Sequence, residues 1–539
     1  MSAGVRGSFY LHMHDQDAAI MIAHFFPFHL FPRQSLSLPS IFVATMTEST
    51  IQDQLYQAFT TSTFPVPLVD IQFRWQKNKD AYHVALKTFN NLITPKEFPS
   101  AALPLAIVTL SEGNNSSIGR VIQDTKKLGL RVSARSGGYQ SGYSSNMTAV
   151  DDSRENFVLI DLCKLDRVLV NPQTRIAIAE PGVTGLDLYT ETIKYGLHFP
   201  GPHIARVTIG GFLLQGGMGI GSRLHGAGVD NVLGFDIVLG SGDTVYADDQ
   251  TNSDLFFAVR GGGQFFGVVT KFHLRLVPIV EKPALVPTYN ETSVAIDQVF
   301  AIFDRPQAND LLNFYCSFDP VAPKALENKV IFVVDSATNK KQYLFSSVSV
   351  TSFNTSLEVK TAHNMITEWY KTIPTNFATS EPGDYAGIIH GGDAGWTDSD
   401  LSYYAEDVWL PVPLDPRLQQ VLIEQWDKVP SNLSSMALNT GTWDAPTLNA
   451  LGFDRSYSLC VYSTWKRNGD LAWDAKNKGW LDETMEAIKP WTLGFYANEL
   501  RPRQPQDNNY WRKCYEDKTF DVLSVAKRRW DPFNVFKSL

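Results

Sequence analysis

Apolar positions run in two rhythms along the chain, short continuous blocks and blocks at helical spacing, and small-residue turns separate them. The run Leu105 to Leu110 suits a buried strand. Asn114, Asn115, Ser116 and Ser117 then lead into apolar positions Ile118, Val121, Ile122 and Leu128, the spacing of a helix face. Lys126 and Lys127 suit the C-terminal end of that helix, and Gly129 suits its termination. Arg131 to Ala134 predicts a second strand, which runs into Ser136, Gly137 and Gly138. The unit is therefore strand, helix, strand and glycine turn.

Further along, a strand-like run ends at Pro181 and Gly182, with Thr184 as a helix cap. Glycines then crowd together as Gly210 and Gly211, Gly216 and Gly217, and Gly219, Gly221, Gly226 and Gly228. Within regular elements each would cost roughly 0.5–1 kcal/mol, so their concentration points to backbone lying close to a large flat ligand. Paired glycines also let N–H groups approach an anion such as a pyrophosphate. Beyond Pro278 the glycines thin out. Strand-like runs at "KVIFVVD" and "SYSLCVYSTW" then alternate with helical stretches such as "RLQQVLIEQWDKV".

With 539 residues, 44% hydrophobic and 19% charged, the chain can bury a large core and build two domains. A net charge of −9 excludes the basic footprint of nonspecific nucleic-acid binding. The 12 Trp, 20 Tyr and 33 Phe suit an aromatic pocket as well as a core. Cys163, Cys316, Cys460 and Cys514 are dispersed, show no metal-ligand spacing, and neither require nor exclude a disulfide. Residues 18 to 31 are apolar but too short and too interrupted for a membrane span, and Asp15 and Asp17 spoil a secretory signal. Triplets for glycosylation at Asn114, Asn146, Asn290, Asn354 and Asn432 keep secretion open, while the reading leans to an intracellular enzyme.

The segments "VTIGGFLLQGGMG", "GAGVDNVLGFDIVLGSGDTV" and "DLFFAVRGGGQFFGVVTKFHLRL" resemble the FAD-binding half of berberine-bridge-enzyme-like oxidoreductases, within the vanillyl-alcohol-oxidase or PCMH-type flavoprotein superfamily. The tail agrees through Lys527, Asp531, Pro532, Asn534 and Phe536, and the likeness spans roughly residues 100 to 539. The resemblance implies an α+β fold with a PCMH-type two-subdomain FAD-binding domain and a substrate domain whose antiparallel sheet is backed by helices. It implies an extension over 1–45, an FAD-binding domain over 46–280, a substrate domain over 281–490, and a segment over 491–539 returning to the FAD domain. Cofactor-binding positions carried over from the family are Arg135, Ser136, Gly137, Gly138, Tyr139, His203, Val207, Gly210, Gly211, Gly216, Gly217, Gly219 and Asn534.

Two departures from the family pattern stand out. Its histidine after R-S-G-G, which bonds the flavin, is here Tyr139, and its cysteine slot holds Ile204. A phenol with a pKa of about 10 is a poor substitute for imidazole, so FAD is expected to be noncovalent and less oxidising than in doubly tethered relatives. Val207 occupies a position that influences oxygen access in the family, and its small side chain permits oxidase behaviour.

The family stretch that carries the base matches "LGFYANELRP", which puts Glu499 in the base slot with Tyr496 and Asn498 beside it. Desolvation next to a flavin would raise a glutamate toward the range useful for proton transfer. The alternative is a solvated glutamate near Arg501 and Arg503. Alternation sends Cys460 and Tyr462 to one face of their strand, where core packing is the expected role, and His203 and His225 read as structural. The implied activity is oxidation of a small, largely apolar natural product by hydride transfer to flavin N5, with O2 as acceptor and neither metal nor nucleic acid involved. A redox-neutral cyclase, isomerase or dehydratase, or a noncatalytic binder, are the alternatives.

Overall fold

The computed structural model describes residues 48–60, 70–75, 79–86, 103–110, 115–139, 156–280, 283–288, 295–352, 357–380, 383–385, 387–389, 401–440, 448–453, 456–500 and 511–536. The N-terminal stretch 1–45, the sequons at Asn114, Asn146, Asn290 and Asn354, and Arg501 and Arg503 lie outside them. The chain separates into residues 1–50, described only where the helix Glu48–Thr60 begins, and a compact unit from Ile51 to Leu539.

Among the described residues, three sheets of four or more strands organise the second unit. The first has four strands in the order Asp70–Phe73, Ala106–Thr109, Phe157–Asp161, Arg131–Arg135, the last three parallel. The predicted helix forms as Asn115–Lys127, starting at Asn115 rather than after Ser117, and buries Ile118, Val121 and Ile122 against this sheet. Gly129 ends it at φ +70°, a left-handed conformation that costs glycine little. The second sheet is antiparallel and five-stranded, ordered Val168–Asn171, Ile176–Ala179, Val268–Arg275, Val232–Val238, Thr244–Ala247. Thr184 caps the helix Gly185–Ile193, its hydroxyl and Asp187 closing a capping box.

The third sheet has nine antiparallel strands, among them Leu326–Val334, Ser435–Asn439, Tyr457–Lys466 and Leu401–Leu410 side by side in that order. The helices Ala308–Phe318, Leu357–Tyr370, Pro416–Trp426 and Leu471–Ile488 cover one face. Val330, Phe332, Val408, Leu410, Met436, Leu438, Leu459 and Val461 all point to that covered face. Because strand side chains alternate, the residues between them face the opposite way.

The tail packs against the first two sheets. Its helix Asp517–Trp530 places Leu523 and Ala526 in the core of the second sheet, and the Val535 carbonyl accepts from the Val132 N–H at 2.8 Å at the edge of the first. Lys527 and Asp531 form a buried ion pair at 2.6 Å. Asp531 also accepts from the Val535 and Phe536 N–H groups, and Lys527 donates to the Phe265 carbonyl at 2.7 Å. The motif found in the sequence is thus a structural clasp. The four cysteines are free thiols, and among the described residues no helix is long and apolar enough to cross a membrane.

Candidate active site

The strand Arg131–Arg135 delivers a turn, Ser136 to Tyr139, onto the segment Thr208 to Gly211. Arg135 anchors it: its buried guanidinium pairs with Asp161 and donates to the Ala85 carbonyl at 2.6 Å. The Ser136 hydroxyl oxygen accepts from the Gly211 N–H at 3.2 Å and from the Thr208 hydroxyl at 3.0 Å. The two backbones touch so closely that a Cβ on Gly137 would lie 2.7 Å from Thr208 Oγ1. A Cβ on Gly211 would instead meet nothing within 4 Å. Among the described residues no acceptor is hydrogen-bonded to the Gly137 or Gly138 N–H.

These turns form one wall of a cleft of about 1720 Å3, measured out to bulk solvent. Apolar lining comes from Pro202, Ile204, Val207, Phe212 and Met218. The uncovered face of the nine-stranded sheet forms the opposite wall with polar side chains: Glu327, Asp407, Asn439, Ser458, Cys460 and Tyr462. Tyr496, Asn498 and Glu499 complete it. Backbone bonds align this last segment with the strand Leu401–Leu410, from the Asp407 N–H to the Glu499 carbonyl (2.8 Å) and from the Tyr496 N–H to the Asp407 carbonyl (2.9 Å).

Charge on the sheet wall is concentrated in carboxylates. Asp407 is buried, and burial pushes its carboxyl up to about 7 although the Cys460 thiol (3.0 Å) and the Ser458 hydroxyl (2.9 Å) both donate to it. Burial drives Cys460 and Tyr462 well above their ordinary ranges, and both also feel the charges of Asp407 and Glu499. Burial would raise Glu327 as well, but Lys329, the His203 ring and the Gly221 N–H (2.9 Å) outweigh it and hold that carboxyl at about 2. Burial raises the Tyr496 phenol, whose oxygen accepts from the N–H groups of Gly217 (3.1 Å) and Met218 (3.2 Å) and from Asn498 Nδ2 (3.0 Å). Arg223, from the glycine segment, is buried at the edge of the cleft, where its guanidinium donates to Asp319 and Thr440.

Arg135, Ser136, Gly137, Gly138, Tyr139, His203, Val207, Gly210, Gly211, Gly219, Tyr496 and Glu499 all line the cleft. Three of the candidate positions are not brought to it. Gly216 and Gly217 have positive φ and would strike Leu451 and Phe212 if given a side chain, so packing alone is enough to require glycine there. Asn534 sits in the left-handed turn after the last helix, its N–H bonded to the Asp531 carbonyl. Cys460 and Tyr462 are on one face, as alternation predicts, but it is the cleft face rather than the helix-packed core that Tyr457 joins. His203 pairs with Glu327 at the cleft, and His225 packs edge-on against His198. The sequence reading missed Asp407, Glu327, Asn439 and Ser458. An acidic residue inside an otherwise apolar strand pattern, as in "LSYYAEDVWL", was the available signal.

The Gly137 and Gly138 N–H groups, without an acceptor among the described residues, at a turn with no room for a side chain on Gly137 and beside a cleft walled by sheet on the far side, fit a dinucleotide flavin. Residues 107–248 match the family described as FAD binding domain. The chain is 24% identical over 484 residues to the FAD-linked oxidoreductase penO of Penicillium crustosum, covering 87% of this chain and 96% of that one. Among solved structures, 6-hydroxy-D-nicotine oxidase from Arthrobacter nicotinovorans superposes with a TM-score of 0.71 at 18% identity, covering 88% of this chain and 98% of that one. BBE-like 28 from Arabidopsis thaliana gives 0.71 at 19%, covering 86% and 96%. With the fold, the cradle and the relatives in agreement, the chain carries an FAD-binding domain, is similar along most of its length to FAD-linked oxidoreductases, and has the fold of berberine-bridge-enzyme-like, PCMH-type flavoproteins.

Proposed function

We propose that the protein is an oxidase of a small, largely apolar natural product that carries an O–H or N–H on the carbon being oxidised. The observation that carries this reading is the placement of Glu499 on the sheet wall of the cleft, across from the glycine cradle. FAD, when bound, supplies the hydride acceptor at N5 and passes the electrons on to O2. The chain's own residues do the rest. Gly137 and Gly138 hold the dinucleotide through backbone N–H groups, with Ser136, Gly210 and Gly211 shaping the turn beside them. Ile204, Val207 and Met218 shed water from the substrate's apolar body. Glu499 takes the proton from the substrate O–H or N–H as the hydride leaves. In this reading 46–280 and 491–539 hold the flavin and 281–490 supply the substrate surface.

The same reading makes the flavin noncovalent. Tyr139 and Ile204 occupy the two tethering positions and both line the cleft, so neither an imidazole nor a thiolate is presented there.

The test is anaerobic mixing of the purified holoprotein with a panel of small aromatic alcohols and amines. Bleaching of the flavin absorbance, with recovery and hydrogen peroxide on admitting air, is the expected result. Glu499→Gln should keep its flavin and slow bleaching by roughly 10²- to 10⁴-fold, the usual loss for a removed general base. A product of unchanged oxidation state, or undiminished bleaching in the variant, overturns the reading.

A further inference from the structure

Two carboxylates, not one, belong to the sheet wall, and the second is almost fully buried within it. Asp407 is 2% exposed and lies beside Ser458 and Cys460 on the cleft face, on the strand directly paired with theirs, where Asp407 and Cys460 are register partners. Glu499 lies on the cleft side, and its own carbonyl is bonded to the Asp407 N–H. The Cys460 thiol, 3.0 Å from Asp407 Oδ2, and the Tyr462 phenol on the same strand face each feel the charges of both carboxylates. The titratable groups whose charge reaches Asp407 are Glu406, on the other face of its own strand, Cys460 and Tyr462 on the neighbouring strand, and Tyr496 and Glu499 on the segment packed alongside. The uncharged Asn439 amide reaches the same Cys460 sulfur at 3.6 Å from the next strand.

We propose that Asp407 is the proton store behind Glu499, drawing the substrate's proton out of the cleft through the Tyr462 hydroxyl and the Cys460 thiol. The inference rests on Glu499 being the base. In the step, Glu499 takes the proton of the substrate O–H or N–H. The Tyr462 O–H and the Cys460 S–H each accept one proton and release one, and Asp407 ends protonated with Glu499 ionised again. No electrons move in the relay; the hydride leaves separately to the flavin. Asp407 therefore acts through Glu499, as the residue that finally accepts the proton.

The buried carboxyl, pushed up to about 7, is poised for this duty: ionised it can accept, protonated it cannot. The sign follows. Turnover should rise with pH as Asp407 ionises, on top of any dependence belonging to the substrate.

Difference infrared spectroscopy of the substrate-free holoprotein, titrated between about pH 5.5 and about pH 8.5, reads the carboxyl directly. A protonated-carboxyl band that disappears near neutrality is expected in the wild type and in Glu499→Gln, and must be missing in Asp407→Asn. The same Asp407→Asn protein should lose the neutral-pH limb of kcat against pH and turn over about tenfold slower at the alkaline end. A merely structural residue would lower the rate at every pH and leave the profile's shape intact. Cys460→Ala is the second variant: it removes a donor to the carboxylate, so the infrared midpoint should move upward. The proposal is overturned if the band persists in Asp407→Asn, if that profile only scales, or if Cys460→Ala leaves the midpoint in place. If Glu499→Gln turns over normally while the band still titrates, the base assignment has failed and the Asp407 ionisation has not.

Discussion

The Tyr496 phenol oxygen and the Gly217 N–H, 279 positions apart in the chain, are joined by a hydrogen bond of 3.1 Å within the protein interior. It fastens the segment that carries Glu499 to the glycine turns of the opposite wall. The Met218 N–H and the Asn498 amide converge on the same oxygen, so one hydroxyl positions the base relative to the cradle.

Removing that hydroxyl should therefore be felt in both places. Tyr496→Phe leaves buried N–H donors without an acceptor and is expected to destabilise the protein by about 1–3 kcal/mol, with weaker retention of FAD. Thermal unfolding alongside flavin release on dilution checks this. Unchanged values in both would show that the clasp contributes nothing.

The clasp at the tail is an ion pair with both partners almost fully buried, Lys527 at 7% and Asp531 at 1% side-chain exposure. Asp531→Ala strands the ammonium and two backbone N–H groups, and should cost about 3–5 kcal/mol. Urea unfolding of the variant measures it. A cost below about 1 kcal/mol would mean that water reaches the site, as at an exposed pair.

At Gly211 the space a side chain would enter is open in the chain by itself. The position lies in the helix Ile209–Leu214, so Gly211→Ala should leave the apoprotein as stable or up to about 1 kcal/mol more stable. FAD affinity should nevertheless fall at least about tenfold if the cofactor fills that space. Flavin titration of the apoprotein, beside its unfolding curve, separates the two effects. Unaltered affinity would move the cofactor away from this turn.

Three buried imidazoles make stability pH-dependent. Burial holds His198 at about 3, helped by His225, holds His225 at about 4, helped by Arg275, and holds His363 at about 4. Each is neutral in the folded chain and takes up a proton on unfolding once the pH drops below the ordinary imidazole value of about 6.5. Their contribution is complete above about pH 6.5 and is lost as the pH falls toward the folded values. Unfolding near pH 5 should then take up close to three protons from these residues, seen as a falling urea midpoint between about pH 6.5 and 4. A midpoint constant over that range would contradict the assignment.

Much of the frame was legible in local pattern. The helix after Leu110, the caps at Thr184 and Gly129, and the strand Tyr457–Lys466 follow from spacing that any chain must obey. Glu499 and the glycine cradle were legible through their resemblance to a family, and the structure brings them to opposite walls of one cleft. Gly216, Gly217 and Asn534 group with the cradle in sequence, where glycine-rich and tail motifs look alike, and lie outside the cleft lining in the structure.

The sequence by itself determined which residues share a face of each strand, since side chains alternate by covalent geometry alone: Cys460 with Tyr462, and Asp407 opposite Glu406. Only the tertiary structure decided which of the two faces the helices would cover. Four helices took the side of Val408, Leu459 and Val461 because that stripe is apolar and burying it is favourable. The polar stripe was thereby left to face the flavin turns, and Asp407, unremarkable in the chain, became a desolvated carboxyl at the edge of the candidate active site.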